Sequence, residues 1–195
     1  MDKKRIVEFF DSLAPNWDQR LIVNEEVINV ILNNAGIRAN ADVLDVACGT
    51  GVLIPFYLDR DVRSVTAIDI SPQMSQIAAG KFAGENRVRI ICGDVMEYQP
   101  SGLYDCVVVY NALPHFEDDR QLIGKLVSML KKGGRLTIAH GMSRDKINQH
   151  HGNVNEMVKK PLESAEQLCE IMKDFLPVKA VISNSEMYLV CGQKA

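Results

Sequence analysis

A turn containing two glycines, between two short apolar segments, is the first feature of the chain that could do chemistry. Residues 43–46 predict a buried strand with one acid, Asp45, inside it, and residues 52–54 predict the start of a helix. Because glycine has no Cβ atom, Gly49 and Gly51 let the backbone turn sharply and approach a ligand closely. The N–H groups at the start of the helix favour an anionic group. This order of elements predicts a nucleotide-type site in an open α/β sheet.

Two further acids follow the next two predicted strands. Asp69 ends the strand at 64–68, and Asp94 follows the strand at 88–92. Ligands of such sheets bind outside the carboxyl ends of the strands, so both acids belong at one edge. A carboxylate at Asp69 can accept hydrogen bonds from both hydroxyls of a ribose. A polar group at Asp94 can reach an adenine edge, while Ile70 and Val95 offer apolar faces to the ring.

Histidines near the ends of the later strands are the candidate general bases. His115 follows the strand at 104–110, and His140 ends the strand at 135–140. Imidazole titrates near neutral pH and can take a proton from an acceptor group. For His115 the alternative is a structural or general pocket role. A metal site of His140, His150 and His151 is a second alternative, but adjacent helical residues point about 100° apart. The sequence therefore predicts no metal.

The alternation of apolar strands with helices predicts the element order that positions these groups. Helices are expected to about residue 59, from 72 to about 82, and from 118 to 130, with residues 131–134 as the stop of the last one. After a helix that begins at Ser164, strands at 178–182 and 187–191 are separated by four residues and predict an antiparallel hairpin. The prediction is an α/β, Rossmann-like, doubly wound seven-stranded sheet, mostly parallel, with an antiparallel C-terminal hairpin strand.

Two segments outside this alternation are expected to cover the site, within a single domain over residues 1–195. Residues 1–36 predict an N-terminal helical cap with a second helix that begins after Asn24 and buries Val27, Val30 and Ile31. Phe9, Phe10 and Trp17 in this cap could close over a ligand. Residues 141–163 follow the fifth strand at the carboxyl edge and predict a substrate lid.

The composition limits the kinds of partner. The chain has 195 residues, of which 47% are hydrophobic, and a formal net charge of −3, which argues against a general nucleic-acid or anionic-membrane binder. No apolar stretch is long enough for a membrane span, and no secretory signal is expected. The five scattered cysteines predict reduced, buried thiols of a cytoplasmic protein. The oligomeric state does not follow from the sequence.

These motifs together resemble the class I S-adenosylmethionine-dependent methyltransferases, and most closely the small ubiquinone/menaquinone-methyltransferase-like group. The resemblance spans roughly residues 40 to 140 and rests on the segments 43–51, 67–71, 93–95, 105–116 and 131–136. It implies S-adenosylmethionine as cofactor and a small-molecule methyl acceptor. The cofactor-binding residues that it implies are Asp45, Ala47, Cys48, Gly49, Gly51, Asp69, Ile70, Asp94, Val95 and Asn111. Ala47 stands where many members have glycine, which is tolerated if the backbone angle there is ordinary.

Three other functions remain open from the sequence. A non-catalytic regulatory module could bind S-adenosylmethionine with the same residues. An NAD(P)-dependent oxidoreductase would use a similar turn, but its third glycine is missing after Gly51, where Ile54 stands. A base-amino nucleic-acid methyltransferase would carry Asn-Pro-Pro-Tyr after the fourth strand, whereas residues 111–114 read Asn-Ala-Leu-Pro.

Overall fold

A seven-stranded sheet forms the centre of the protein. The computed structural model describes residues 3–152 and 161–195, with the backbone alone at 150–152. The strands are β1 (Asp42–Val46), β2 (Ser64–Asp69), β3 (Val88–Cys92), β4 (Tyr104–Tyr110), β5 (Leu130–His140), β6 (Val178–Ser183) and β7 (Tyr188–Gln193). Their order across the sheet is β3-β2-β1-β4-β5-β7-β6, and β7 runs antiparallel to both of its neighbours. The predicted Rossmann-like sheet with a reversed C-terminal hairpin strand is confirmed.

Eight α-helices in the described ranges surround this sheet. They are α1 (Lys3–Leu13), α2 (Trp17–Arg20), α3 (Glu25–Asn34), α4 (Ile54–Leu58), α5 (Pro72–Lys81), α6 (Asp119–Ser128), α7 (Arg144–Gly152) and α8 (Ala165–Lys173). Side chains of Asn24, Ser71 and Asp118 cap α3, α5 and α6, as their sequence positions predict. Ser164 and Gln167 form a capping box at the start of α8, where the sequence predicts a helix to begin. Within these ranges, no helix has both the length and the apolar character needed to cross a membrane.

The two faces of the sheet carry separate hydrophobic clusters. Because side chains alternate along a strand, Val43 and Val108 face one cluster while Leu44 and Val107 face the other. The first cluster is completed by α3 and α4, and the second by α6 and α8. All four of these strand residues are fully buried, so the central strands β1 and β4 are covered on both sides.

The predicted helix stop at residues 131–134 is wrong. The α6 helix ends at Ser128, and β5 already begins at Leu130, which pairs with Tyr104 of β4. Gly133 and Gly134 exchange backbone hydrogen bonds with Lys194 at 2.9 Å. Strand pairing with distant segments therefore overrides the local pattern of two lysines and two glycines, which is typical of a helix end.

Two burial predictions are also wrong. Val30 is exposed on α3, and Ile28 and Leu32 are buried instead, so the inward face of this helix is rotated from the expected one. Cys92 is exposed because it ends β3, which lies at the edge of the sheet. The other four cysteines are buried, and all five are free thiols.

Candidate active site

The turn after β1 combines three residues in left-handed backbone conformations. Ala47, Gly49 and Gly51 have φ angles of 55°, 55° and 87°. A Cβ atom on Gly51 would lie 2.8 Å from the Phe82 ring and 2.9 Å from the Ile54 side chain, so only glycine fits there. Alanine at position 47 was expected to be tolerated if its backbone angle were ordinary, but the angle is left-handed. This residue carries a methyl group in a conformation that L-residues disfavour.

Asp69 ties this turn to the end of β2. One carboxylate oxygen accepts a hydrogen bond from the Gly49 N–H at 2.7 Å, and the other accepts from the Ser71 N–H at 2.9 Å. Burial raises the pKa of Asp69, and the two N–H donors oppose that shift. Each oxygen has two lone pairs, so both can accept one further hydrogen bond from a ligand hydroxyl. The side chain is thus positioned by backbone groups of two loops.

Asp94, after β3, is bonded on both carboxylate oxygens. It accepts from the Met96 N–H at 2.8 Å and from the Lys3 ammonium of α1 at 2.5 Å. The hydrogen bond to Asp94 and its charge raise the pKa of Lys3. The N-terminal helix therefore places a cation at this corner of the site, although nothing in the Lys-Lys-Arg segment distinguishes it from a solvated helix start.

These loops surround a cavity of about 340 Å³. Such a volume lies near the small end of the range of roughly 300–1,000 Å³ for ligand pockets. The predicted site residues that line it are Ala47, Cys48, Gly49, Asp69, Ile70, Asp94, Val95, Asn111 and His115. Three predicted residues, Asp45, Gly51 and His140, are not part of the lining. Most of the predicted site is therefore brought together at one edge of the sheet.

Asp45 lies in β1, just before the turn, and is buried. Burial, with a further contribution from the charge of Asp69, raises the pKa of Asp45 to about 8. One of its carboxyl oxygens has no hydrogen-bond partner among the described residues. The neutral acid is therefore favoured at pH 7.

The two candidate bases occupy different environments. His115 lies on a 3₁₀ turn, Leu113–His115, and its half-exposed ring meets the Phe10 ring edge-on with centroids 5.0 Å apart. His140 is buried at the end of β5, with its ring 5.8 Å from that of Tyr188 on β7. Since only His115 lines the cavity, it is the stronger candidate.

The N-terminal segment contributes five lining residues. Phe10 and Trp17 were candidates from the sequence, whereas Lys3, Ile6 and Leu21 had not been recognised as site residues. The helical periodicity of apolar residues could have identified Ile6 as an inward-facing residue, since Ile6 is the buried residue of α1. The lining also includes Glu117, Asp118 and Gln121. The sequence pattern predicts Asp118 only as a helix cap, and it distinguishes neither Glu117 nor Gln121.

Two acids attach this segment to the loops of the site. Asp11 accepts from the Ser71 hydroxyl at 2.5 Å and from the Gln73 N–H at 3.0 Å. Asp18 accepts from the Thr50 hydroxyl at 2.5 Å and pairs with the Lys81 ammonium at 2.5 Å. The segment is therefore held over the carboxyl ends of β1 and β2.

The segment predicted as a substrate lid, 141–163, forms hydrogen bonds within itself where it is described, and its Gly141 N–H donates to the side chain of Asn111. Arg144 donates to the Leu162 carbonyl at 2.8 Å, and the Leu162 N–H donates to the Asn148 side chain at 2.7 Å. None of its described residues lines the cavity. Residues 153–160 and the side chains of His150 and His151 lie outside the description, so the lid and the alternative metal site stay predictions.

Fold and site together define a class of protein. The strand order with a reversed β7, the left-handed turn after β1, and the acids that end β2 and follow β3 form the Rossmann-like methyltransferase architecture that the sequence motifs imply.

Comparison with known proteins agrees with this class. Residues 43–134 match a family described as a methyltransferase domain. The chain is 35% identical over 143 residues to a malonyl-[acyl-carrier protein] O-methyltransferase of Acetivibrio thermocellus, covering 71% of this chain and 50% of that protein. It is 30% identical over 152 residues to a ubiquinone biosynthesis O-methyltransferase of Rickettsia felis, covering 71% and 61%. The chain thus spans about half the length of the first of these relatives.

Solved structures share the fold over nearly the whole chain. The N-methyltransferase NodS from Bradyrhizobium japonicum, in complex with S-adenosylhomocysteine, superposes with a TM-score of 0.76 at 18% identity and covers 97% of this chain and 98% of NodS. Magnesium protoporphyrin IX methyltransferase from Synechocystis, with the same bound product, gives a TM-score of 0.74 at 17% identity over both full chains. These matches support a class I S-adenosylmethionine-dependent methyltransferase, and the solved structures show its fold.

Proposed function

We propose that this chain is an enzyme that transfers a methyl group from S-adenosylmethionine to a small-molecule acceptor. The observation that carries this proposal is the position of Asp69, which bonds the Gly49 N–H at 2.7 Å while it lines a cavity at the carboxyl edge of the sheet. A carboxylate beside a left-handed glycine turn can hold a ribose next to the methionine end of the cofactor. The carboxylate and the apolar side chains at this edge of the sheet suit the hydroxyls and the ring of an adenosyl group.

The proposed roles of the lining residues follow the order of the strands. Ala47, Cys48, Gly49 and Asn111 surround the methionine end, and Asp45 and Gly51 support the turn from behind. Asp69 accepts the ribose hydroxyls, with the apolar side chain of Ile70 beside it. Asp94 and Val95 contact the adenine edge. The residues proposed to contact the cofactor are Ala47, Cys48, Gly49, Asp69, Ile70, Asp94, Val95 and Asn111, while Asp45 and Gly51, which lie outside the lining, are proposed to act through the turn.

Methyl transfer from S-adenosylmethionine requires little covalent chemistry from the protein. When bound, S-adenosylmethionine supplies an activated methyl group on a sulfonium. The chain's own residues hold the acceptor in line and keep water out, which can lower a barrier by roughly 7–11 kcal/mol in favourable cases. Where the acceptor must lose a proton, His115 is the proposed base, since it lines the cavity.

The acceptor and the location of the protein are part of the proposal. A small molecule rather than a nucleic acid is supported by the net charge of −3 and by Glu117 and Asp118 at the cavity, because phosphate backbones require basic surfaces. A cytoplasmic location is supported by the five free thiols, since oxidising compartments favour disulfides.

Titration calorimetry with S-adenosylhomocysteine tests the cofactor assignment. Asp69→Asn should weaken binding at least 10-fold, about 1.4 kcal/mol, because the amide has one acceptor oxygen where the carboxylate has two. Asp59→Asn, an exposed acid after α4, is the matched control and should bind like the wild type. A Kd for Asp69→Asn within twofold of the wild type would remove Asp69 from the site.

Transfer of a labelled methyl group to a panel of metabolites separates the enzyme from its alternatives. An enzyme labels at least one acceptor. Tight binding of S-adenosylhomocysteine without any transfer would favour the non-catalytic regulatory module. Heat from a nicotinamide dinucleotide, with none from S-adenosylmethionine or S-adenosylhomocysteine, would favour the NAD(P)-dependent oxidoreductase.

A further inference from the structure

We propose that the indole N–H of Trp17 binds the carboxylate at the methionine end of the cofactor and thereby selects the cofactor form that keeps this carboxylate; this inference rests on the proposed function. Trp17 begins α2 in the N-terminal segment and lines the cavity. The sequence indicates an aromatic ring that closes over a ligand, and it assigns no task to the nitrogen of that ring.

The indole nitrogen lies beside the glycine turn. Its Nε1 atom is 3.8 Å from the position that a Cβ on Gly49 would occupy, and no other described atom comes within 4 Å of that position apart from Gly49 and its chain neighbours. Because Gly49 lacks a Cβ atom, a ligand group can approach the turn there. Among the described residues, no acceptor for the Trp17 N–H is found. A ligand acceptor at the turn would satisfy this donor.

The backbone of the turn has already used several of its own donors. The Cys48 N–H donates to the Ile68 carbonyl at 3.2 Å. The Gly49 N–H donates to the Asp69 carboxylate at 2.7 Å. The Gly51 N–H donates to the Cys48 carbonyl at 2.9 Å. An anionic ligand group at the turn therefore gains from a donor that comes from outside it.

The nearby cationic side chains are paired with acids of the protein. Lys3 is the one lysine or arginine in the described lining, and its ammonium lies 2.5 Å from Asp94, where we place the adenine edge. Lys81, at the end of α5, pairs with Asp18 at 2.5 Å. The methionine carboxylate is thus left to uncharged donors. Indole donates a hydrogen bond and cannot accept one, so Trp17 favours a carboxylate over an ammonium group.

Trp17 is held in this place by contacts within the protein. The next residue, Asp18, accepts a hydrogen bond from the hydroxyl of Thr50 in the turn at 2.5 Å. The Phe10 ring packs edge-on against the indole, with ring centroids 6.0 Å apart. These contacts orient the donor independently of any ligand. Binding to an oriented group costs less conformational entropy, which favours affinity.

The same donor explains how the site selects the intact amino-acid form of the cofactor. A hydrogen bond to an ionised acceptor is stronger than one between neutral groups. A cofactor form without the carboxylate leaves the indole N–H without this acceptor, and an unpaired donor in a binding site costs affinity. The preference for the carboxylate should therefore depend on the nitrogen of Trp17 and not on its ring.

Titration calorimetry with a matched pair of ligands tests the inference. The probes are S-adenosylhomocysteine and its decarboxylated analogue, and the variant is Trp17→Phe, which keeps an aromatic ring and removes the N–H. We expect S-adenosylhomocysteine to bind roughly 10-fold more weakly to Trp17→Phe, whereas the Kd of the analogue should stay within twofold of the wild-type value. Phe9→Leu changes a ring of the same segment outside the lining and should bind both ligands like the wild type.

Two calorimetric results would overturn the inference. If Trp17→Phe weakens both ligands by the same factor, the indole contributes packing alone. If Trp17→Phe binds S-adenosylhomocysteine within twofold of the wild type, the N–H does not contact the cofactor.

Fluorescence gives an independent readout, because Trp17 is the only tryptophan of the chain. We expect S-adenosylhomocysteine to change the tryptophan emission of the wild type, with the same Kd that calorimetry gives. Unchanged emission when calorimetry shows the site to be saturated would place the indole away from the ligand and contradict the inference.

The same titrations separate this inference from the proposed function. If S-adenosylhomocysteine binds equally well to the wild type and to Trp17→Phe, the role of Trp17 fails and the cofactor assignment stands. If S-adenosylhomocysteine does not bind to the folded wild type, the proposed function fails together with the role of Trp17.

Discussion

Two non-glycine residues beside the cavity, Asn111 and Ala47, have left-handed backbone conformations. Asn111 has a φ of 56°, and its side-chain oxygen accepts from the Gly141 N–H at 2.9 Å, so a hydrogen bond stabilises the turn. Asparagine also tolerates this conformation well. Ala47, with a φ of 55°, has no polar side chain for such a bond. Strain of this kind persists where the surrounding structure imposes it, which is common at functional sites.

Replacing Ala47 by glycine should therefore cost no stability. Relief of the left-handed strain, about 1–2 kcal/mol for an L-residue, offsets the greater freedom that glycine has in the unfolded chain, about 0.4–1 kcal/mol. We expect the free energy of unfolding in urea to stay constant or rise by up to about 1 kcal/mol. Ala79→Gly, at an exposed position of α5, is the control and should lose about 1 kcal/mol. Equal losses in both variants would contradict strain at Ala47.

Asp45 should make the fold less stable as the pH rises. Its pKa is raised to about 8 in the folded protein, whereas the unfolded chain ionises it near 3.9. The folded state thus holds the extra proton between about pH 4 and pH 8, and its stability falls across that window. Asp45→Asn should reduce the fall in unfolding free energy between pH 5 and pH 8 by at least about 1 kcal/mol. The measurement is urea denaturation at several pH values, with Asp59→Asn as control; an unchanged pH profile would refute it.

At the scale of elements, the site is closed by helices that precede the sheet in the chain. Asp11 and Asp18 bond to the loops after β2 and β1, and the residues between them carry Trp17 to the glycine turn. These are polar contacts between partly exposed groups, so each contributes modestly to stability. Their position gives them a larger effect on the site than on the fold.

Removing one of these attachments should loosen the N-terminal segment. In Asp18→Ala the Thr50 hydroxyl and the Lys81 ammonium lose their shared partner. We expect S-adenosylhomocysteine to bind roughly 3- to 10-fold more weakly, about 0.7–1.4 kcal/mol, and trypsin to cleave faster after the exposed Arg20. Glu8→Ala removes an exposed acid of α1 and is the control. Wild-type affinity together with wild-type cleavage in Asp18→Ala would show that this attachment does not hold the segment.

At the scale of the whole molecule, the cavity belongs to the folded state alone. Its walls come from the N-terminal segment, from the loops after β1 to β4, and from the start of α6. β1 and β4 are neighbours in the sheet although two strands separate them in sequence, and the order of strands reverses between them. Ligands of open α/β sheets bind at such a reversal.

A ligand that binds only this state must stabilise it. S-adenosylhomocysteine at 100 times its Kd should add about 2.7 kcal/mol to the unfolding free energy. For a chain of this size, 1 kcal/mol corresponds to roughly 2–4 °C, so Tm should rise by about 5–10 °C. Differential scanning fluorimetry measures this shift, with a nicotinamide dinucleotide at the same concentration as control. A shift with the dinucleotide and none with S-adenosylhomocysteine would favour an oxidoreductase.

Local patterns in the sequence predict the seven strands, the caps of four helices and the residues of the glycine turn. These features depend on neighbours within a few positions. Alternation of apolar residues identifies strands such as β4, and a hydroxyl such as that of Ser71 can cap the helix that begins beside it. The acids at the ends of β2 and β3 followed from the same local order. Locally encoded features are the ones that a single sequence predicts well.

Which side chains meet across the sheet follows from the tertiary structure alone. It assigned residues 130–134 to β5, moved Val30 to the surface and brought Lys3 to Asp94. It also placed His115 at the cavity and His140 outside it. Both histidines lie near strand ends in the sequence, so their positions there do not predict this difference. The physical reason is that such contacts join residues far apart in the chain. They depend on how helices and strands pack, and the local pattern around each residue does not contain that information.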